Sequence, residues 1–203
     1  GVFRVPVRLH ADVKPEINFT FARGLRHILR QDPNVVMVGE IRDVETADIA
    51  IRAAMTGHLV FSTLHTNDAV GGITRLLDMD VEPFLLASVV KSFIAQRLVR
   101  TICQECAEKV EYPAEYLHEI GFPVQELGTK FMRGKGCDQC RHTGYQGRAA
   151  IYEVCVVTEP LRKMIMRKKD GGELKQCAIA EGMQTLRNDG WRRVAQGTTT
   201  IEE

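Results

Sequence analysis

Residues 35–43 have the sequence Val35-Val36-Met37-Val38-Gly39-Glu40-Ile41-Arg42-Asp43. The apolar run between Pro33 and Gly39 predicts a short strand covered on both faces, as strands of parallel α/β sheets usually are. Ligands of open α/β sheets bind outside the carboxyl ends of the strands. Glu40 and Asp43 are therefore placed toward a ligand site, although a solvated carboxylate after a strand is an equally simple interpretation.

Helical and extended patterns alternate around this strand. The predicted elements are a strand at Val2–Val7, a helix from Thr20 to about Arg30, a helix that Asp43 caps and Gly57 ends, a strand at His58–Leu64 and a helix at Asp68–Met79. Alternating helices and strands with short connections are typical of parallel sheets with right-handed crossovers. The sequence therefore predicts an α/β fold, with a parallel or mixed sheet and flanking helices.

The second half of the chain has a different pattern. Apolar residues recur at helical spacing from Leu85 to Val99, which predicts one helix from Pro83 to the first cysteine. Periodicity is then lost as far as Arg148. The elements predicted beyond it are a strand at Ala149–Val157, helices at Glu159–Arg167, Glu173–Glu181 and Gln184–Ala195, and the start of a helix at Thr198–Glu202. These changes predict domain segments 1–101, 102–148 and 149–203.

Composition gives few clues to partners. The 203 residues include 27 basic and 26 acidic side chains, for a net charge of +1, and 44% are hydrophobic. This balance gives no bulk electrostatic reason to expect nucleic acid or an anionic membrane as a partner. No apolar run approaches the roughly 18–20 residues that span a bilayer, and no signal-like segment leads the chain, which predicts a cytoplasmic protein. Because position 1 is Gly, we expect a piece of a longer protein.

The cysteines form two CxxC pairs separated by residues 107–136. The paired residues are Cys103, Cys106, Cys137 and Cys140. Each pair can present two thiolates to one tetrahedral ion, and four sulfurs predict a closed, structural zinc site. Two disulfides are disfavoured because nothing indicates an oxidising compartment, and a redox couple explains only one pair. Cys155 and Cys177 are left over and are expected to act as small buried or half-buried hydrophobes.

Three blocks that follow one another along the chain together resemble the secretion ATPase superfamily. The blocks are Leu29–Asp43, Thr56–Asn67 and the paired CxxC motifs. The cysteine pairs are similar to those of the branch that serves type II secretion and type IV pilus assembly. The resemblance implies an incomplete RecA-like P-loop NTPase core, a zinc-binding subdomain in the middle and a small helical region at the carboxyl end.

The resemblance also implies roles for particular residues. Glu40 corresponds to the acid of the Walker B element that polarises the attacking water, and Gly39 stands where many P-loop proteins carry a magnesium-binding Asp. His65 corresponds to the histidine of the family's histidine box, near the γ-phosphate. Five arginines fall where the family carries basic residues of the nucleotide site or of subunit contacts, although a solvated face is the simpler interpretation: Arg26, Arg30, Arg42, Arg75 and Arg148.

The cofactors implied are ATP with Mg²⁺ and a structural Zn²⁺. The chain has no GxxxxGK[ST] motif, so we expect the phosphate-binding loop upstream and the fragment itself to be inactive. The implied partners are five further copies in a homo-hexamer and inner-membrane platform proteins, with the protein peripheral at the cytoplasmic face of that membrane. No nucleic acid is expected.

Other functions remain open at this point. One is a zinc-ribbon module that binds nucleic acid through residues such as Arg141 and Arg148, although aromatic side chains are sparse near the cysteines. Within the family, a DNA-uptake motor shares much of the architecture. A pilus-retraction motor is disfavoured, because such ATPases generally lack the four cysteines.

Overall fold

The computed structural model describes residues 21–30, 33–128 and 130–203. The predicted strand at Val2–Val7 and the predicted cap at Thr20 lie outside these ranges. The described chain divides into two compact units that are discontinuous in sequence. One comprises the described residues up to Phe93 together with Val156–Glu181, and the other comprises Ile94–Cys155 and Gly182–Glu203. The segment boundaries expected from the sequence, at 101/102 and 148/149, stay a prediction.

The first unit is an α/β assembly. Its elements are α1 (Phe21–Leu29), β1 (Val35–Val38), α2 (Val44–Met55), β2 (Leu59–Ser62), α3 (Gly71–Asp78), α4 (Pro83–Val89), α7 (Glu159–Met166) and α8 (Gly171–Ala180). Strands β1 and β2 pair in parallel, from Val35 opposite Leu59 to Val38 opposite Ser62. The predicted β-α-β alternation in this part of the chain is confirmed.

Helix α2 begins where the sequence predicts. The Asp43 carboxylate accepts a hydrogen bond from the backbone N–H of Thr46 at 2.8 Å, which satisfies one of the free amides of the first turn. Gly57 follows the helix with φ +98°, a conformation that side chains disfavour. Ile49 and Ala50 of α2 pack on Val36 and Val38 and close the core on one face of the β1–β2 pair.

The expected burial of both faces of β1 is wrong. Val36 and Val38 are buried, but Met37 is 75% exposed and Val35 is 51% exposed. On β2, Leu59 and Phe61 are also more than half exposed. The reason is that among the described elements the core forms on the α2 face alone, so the strands alternate between covered and open positions.

The second unit contains the longest strands. Its elements are β3 (Ser92–Ile102), β4 (Ala107–Val110), α5 (Ala114–Glu119), α6 (Val124–Leu127), β5 (Phe131–Gly134), β6 (Tyr145–Val156) and α9 (Leu186–Ala195). The first two residues of β3 and the last residue of β6 are counted with the first unit. Strand β3 pairs with β6, and β4 pairs antiparallel with β5. Leu117, Phe122, Phe131 and Val194 form the core beside β5.

The single helix expected from Pro83 to the first cysteine is wrong. Helix α4 ends at Val89, and the chain continues as β3. Apolar residues at helical spacing also fit the alternation of a strand, and here pairing with the distant β6 decides the outcome. Ala95, Val99 and Ile102 are the buried positions of β3.

The carboxyl end also differs from expectation. Helices α7, α8 and α9 confirm the three predicted helical patterns, but residues 198–202 form turns and not a helix. Thr199 and Thr200 are buried, and their hydroxyls bond to the Arg100 carbonyl at 2.7 Å and the Tyr145 hydroxyl at 2.8 Å. These long-range bonds replace the helix cap that the sequence predicted.

Candidate functional site

Glu40 and His65 meet at the carboxyl edge of the β1–β2 pair. Both strands run in the same direction, so the residues that follow Val38 and Ser62 leave the sheet at one edge. The Nε2 atom of His65 lies 2.9 Å from Oε2 of Glu40. The two residues that the sequence singled out for catalysis, which are 25 positions apart, are thus brought into direct contact.

Arg42 completes the polar cluster at this edge. Its guanidinium forms an ion pair with Oε1 of Glu40, so each carboxylate oxygen has its own partner. The Glu40 side chain is 17% exposed, whereas His65 is 87% exposed and open to solvent. The hydrogen bond from Arg42 lowers the pKa of Glu40 and, together with His65, outweighs the opposite effect of desolvation. Glu40 is therefore held as a carboxylate, whose oxygens can accept hydrogen bonds and so orient a water molecule.

Sequence reasoning did not single out Thr63, which the structure places against the backbone on both sides of Glu40. Its hydroxyl donates to the Gly39 carbonyl at 2.6 Å, and its own carbonyl accepts from the Ile41 N–H at 3.0 Å. Glu40 lies between the Gly39 carbonyl and the Ile41 N–H, the two backbone groups that Thr63 binds. The signal was available in principle, because a parallel register that pairs Val38 with Ser62 places Gly39 beside Thr63.

The other sequence-predicted arginines are not brought to Glu40. Arg26 forms an ion pair with Glu45 at 2.9 Å, and Arg30 is exposed just after α1. Arg75 is exposed on α3 and lines a groove of about 380 Å³ with residues that include Thr66 and Asp68. Arg148 is exposed on β6, in the other compact unit. Of the five arginines, Arg42 alone is placed in contact with the Glu40 carboxylate by the described contacts.

The four paired cysteines form one cluster in the second unit. All four Sγ atoms lie within 4.8 Å of one another. The Sγ–Sγ distance is 3.8 Å for Cys103–Cys137, 3.8 Å for Cys137–Cys140 and 3.9 Å for Cys106–Cys140. Sulfur ligands about 2.3 Å from a tetrahedral ion lie about 3.8 Å apart, so the arrangement fits one Zn²⁺.

Backbone amides surround the sulfurs of this cluster. The N–H groups of Cys137 and Gly144 donate to Sγ of Cys140, at 3.2 and 3.3 Å, and that of Gly136 donates to Sγ of Cys106 at 3.3 Å. Burial opposes ionisation of Cys140, but the Cys137 and Gly144 amides, together with the neighbouring Cys137 and Cys106 thiols, outweigh it and lower the pKa of its thiol. At Cys106 burial prevails over the Gly136 amide and raises the pKa of the thiol to about 12. Donors directed at sulfur are what a thiolate ligand of a metal requires around it.

The loop that carries the second pair is tightly packed. A Cβ atom at Gly134 would lie 1.9 Å from the Gly144 carbonyl oxygen, and Gly144 itself has φ +77°. Glycine is therefore required on both sides of this close approach. Cys155 is buried and Cys177 is half-buried, as expected, and neither belongs to the described four-sulfur cluster.

Residues 4–203 match the family model described as type II/IV secretion system protein. A type IV pilus assembly ATPase, PilB, of Thermus thermophilus is 47% identical over 202 residues, which cover 99% of this chain and 23% of that protein. A type II secretion system ATPase E of Vibrio cholerae is 48% identical over 191 residues, covering 94% of this chain and 38% of that one.

Among solved structures, the pilus retraction motor PilT with bound ADP has a similar fold. The TM-score is 0.60 at 30% sequence identity, over 90% of this chain and 42% of that one. The present chain therefore spans less than half the length of each of these relatives. Its fold is the α/β fold of these ATPases. No helix in the described part of the chain is long and apolar enough to cross a membrane.

Proposed function

Because the chain belongs to the type II/IV secretion system protein family, we propose that it is the carboxyl-terminal part of a hexameric ATPase that powers type II secretion or type IV pilus assembly. In this proposal residues 1–101 contribute to a RecA-like nucleotide-binding core, residues 102–148 form the zinc subdomain and residues 149–203 form a helical region. The phosphate-binding loop belongs to the upstream part of the parent protein, and this piece alone is inactive.

The observation that carries the proposal is the Glu40–His65 contact at the shared edge of two parallel strands. Phosphoryl transfer depends on positioning and on charge stabilisation more than on covalent chemistry. A carboxylate kept ionised by Arg42 and His65 is suited to orient the attacking water. His65, which is largely exposed, can face the γ-phosphate of bound MgATP while its Nε2 atom holds Glu40.

The cysteine cluster has a structural role in this proposal. Cys103, Cys106, Cys137 and Cys140 supply four thiolates, which leave no open position for a substrate on a tetrahedral Zn²⁺. The ion ties the turn after β3 to the loop between β5 and β6. Partners are then an inner-membrane platform and neighbouring copies of the chain, with the protein at the cytoplasmic face of the membrane.

The test is MgATP hydrolysis by the complete parent protein carrying Glu40→Gln. Loss of the carboxylate is expected to lower kcat by about 10²-fold or more, with a small change in KM, because a positioned proton acceptor contributes about that much. Asp48→Asn is the matched control, since Asp48 pairs with Arg52 within α2 and has no described contact with Glu40 or His65. Unchanged turnover in Glu40→Gln would show that the acid of the reaction lies elsewhere.

A further inference from the structure

Thr63 holds both peptide groups that flank Glu40. The regular ladder of the β1–β2 pair ends at Val38 and Ser62. Just beyond it, the Thr63 hydroxyl bonds to the Gly39 carbonyl at 2.6 Å, and the Thr63 carbonyl bonds to the Ile41 N–H at 3.0 Å. One residue of β2's extension therefore fixes the backbone on either side of the acid.

The two bonds differ in what a substitution can remove. The bond from the Ile41 N–H is a main-chain bond and persists whatever side chain stands at position 63. The bond to the Gly39 carbonyl depends on a hydroxyl alone. Gly39 has no Cβ, so its backbone is freer than that of any other residue and benefits most from an external tie. The hydroxyl thus limits movement at the point where the chain turns from β1 toward Glu40.

The contacts of Glu40 depend on that placement. The Glu40 carboxylate reaches His65, which lies two residues after Thr63, and Arg42, which lies one residue after Ile41. Thr63 is thus joined through the backbone to both partners of the carboxylate. A shift of about 1 Å in a reacting group can cost about 10²-fold in rate. A hydrogen bond that keeps the acid in register is therefore expected to affect turnover more than substrate binding.

We infer that Thr63 is a positioning residue for ATP hydrolysis, acting through its hydroxyl on the Gly39 carbonyl to set the orientation of the Glu40 carboxylate. This inference rests on the proposed function, in which Glu40 orients the attacking water. Thr63 is exposed, so replacing its hydroxyl by a methyl group in Thr63→Val buries no new polar atom and leaves no cavity in a core.

The experiment compares four variants of the complete parent protein: Thr63→Val, Thr63→Ser, Thr56→Val and Glu40→Gln. Thr63→Val is expected to lower kcat for MgATP about tenfold with KM changed little, and Thr63→Ser is expected to restore most of the rate. Thr56→Val is the matched control, because the Thr56 hydroxyl also bonds to a carbonyl, that of Ala53 at 2.9 Å, at the far end of α2. That control should stay near the wild-type rate.

The outcomes separate this inference from the proposed function. If Glu40→Gln abolishes turnover and Thr63→Val does not lower it, the role of Thr63 is wrong and the proposed function stands. Equal losses in Thr63→Val and Thr63→Ser would also overturn it, because the hydroxyl would not be responsible. Normal turnover in Glu40→Gln would overturn the proposed function itself.

A second readout uses the complete parent protein without nucleotide and needs no turnover. Carboxyl NMR titration of Glu40 should give a pKa that rises toward its usual value in Thr63→Val, because the carboxylate loses its fixed position beside Arg42 and His65. Thr63→Ser should keep the low pKa. An unchanged pKa of Glu40 in Thr63→Val would contradict the positioning role independently of any activity measurement.

Discussion

The strand-edge cluster around Glu40 and the four-cysteine cluster differ in how much of each is enclosed. His65 and Arg42 are 87% and 68% exposed, and the apolar residues of the nearby strands are covered on one face only. At the cysteines, Cys103 and Cys140 are buried and backbone amides are directed at the sulfurs. A closed site of this kind suits a structural ion, whereas an open polar edge leaves room for a ligand.

The difference follows from where the contributing residues come from. Every sulfur of the cysteine cluster is supplied by residues 103–140, and the glycine-lined turns around them are local. The strand edge supplies an acid, a histidine and an arginine, but the sequence contains no phosphate-binding motif. The four-sulfur site is thus complete within the described residues, whereas the strand edge carries only the part of a nucleotide site that the proposed function assigns to it.

The largest expected effect is that of metal removal. Zinc binding contributes about 10–16 kcal/mol in small zinc domains, which is comparable to the whole stability of a domain. A chelator should therefore abolish amide hydrogen-exchange protection in residues 103–144 and leave the β1–β2 pair protected. Metal analysis of freshly reduced protein should find about one zinc per chain.

Two cysteine variants serve as controls for this measurement. Cys140→Ser should lose the zinc, whereas Cys177→Ser should keep it, since Cys177 does not belong to the four-sulfur cluster. If metal analysis of reduced wild-type protein found no zinc, the prediction of a closed metal site at the four cysteines would be wrong.

Truncation of a phenylalanine should have the next largest effect, and the loss of stability should be much greater at the buried Phe131 than at the exposed Phe61. Phe131 is 2% exposed and meets Tyr112 and Phe122 edge-on at 5.3 and 5.0 Å between ring centroids, so Phe131→Ala should cost about 3–5 kcal/mol. Phe61→Ala, at a position 54% exposed, should cost less than about 1 kcal/mol. Native-state hydrogen exchange in each unit measures both; equal costs would show that the open face of β2 is covered in solution.

The cap of α2 should give a smaller effect. Asp43→Ala removes the acceptor for the Thr46 N–H and should destabilise α2 by about 1 kcal/mol, whereas Asp43→Asn keeps an acceptor and should cost much less. Exchange rates of the first-turn amides of α2 report the difference. Equal rates in the two variants would mean that the carboxylate charge, and not the hydrogen bond, stabilises the helix.

The smallest effect is the dependence of stability on pH through Glu40. The pKa of Glu40 is lowered in the folded state, so its ion pairs stabilise the fold above the usual Glu pKa, and this contribution is lost as the pH falls through the lowered value. Arg42→Gln should raise the pKa of Glu40 and reduce the acid-dependent part of the stability. A titration of Glu40 that is the same with and without Arg42 would contradict this cause.

The features that depend on neighbouring residues were predicted well from the sequence. The apolar run at Val35–Val38, the Asp43 cap and the CxxC spacing each depend on neighbouring residues, and all three led to the observed strand, helix start and sulfur cluster. Parallel pairing of strands that leave at one edge accounts for the contact between Glu40 and His65, although they are far apart in sequence. Their catalytic roles stay predictions.

The failures have a common physical reason, which is that distant partners decided the structure. Strand β3 forms because β6, some 50 residues further along the chain, pairs with it. No local pattern in residues 83–99 predicts that pairing. Residues 198–202 do not form a helix, because the Thr199 hydroxyl bonds to the Arg100 carbonyl and the Thr200 hydroxyl bonds to the Tyr145 hydroxyl. Thr63 was missed because its bonds to the backbone around Glu40 depend on the exact register of β2 against β1.

The open face of the β1–β2 pair has a practical consequence for the chain in solution. Val35, Met37, Leu59 and Phe61 together present an apolar surface on the two paired strands. Such a surface favours self-association. We therefore expect association between copies, and not unfolding, to limit the concentration at which this chain stays in solution. Light scattering should therefore rise steeply with concentration, since a net charge of +1 gives little repulsion between copies at any salt concentration.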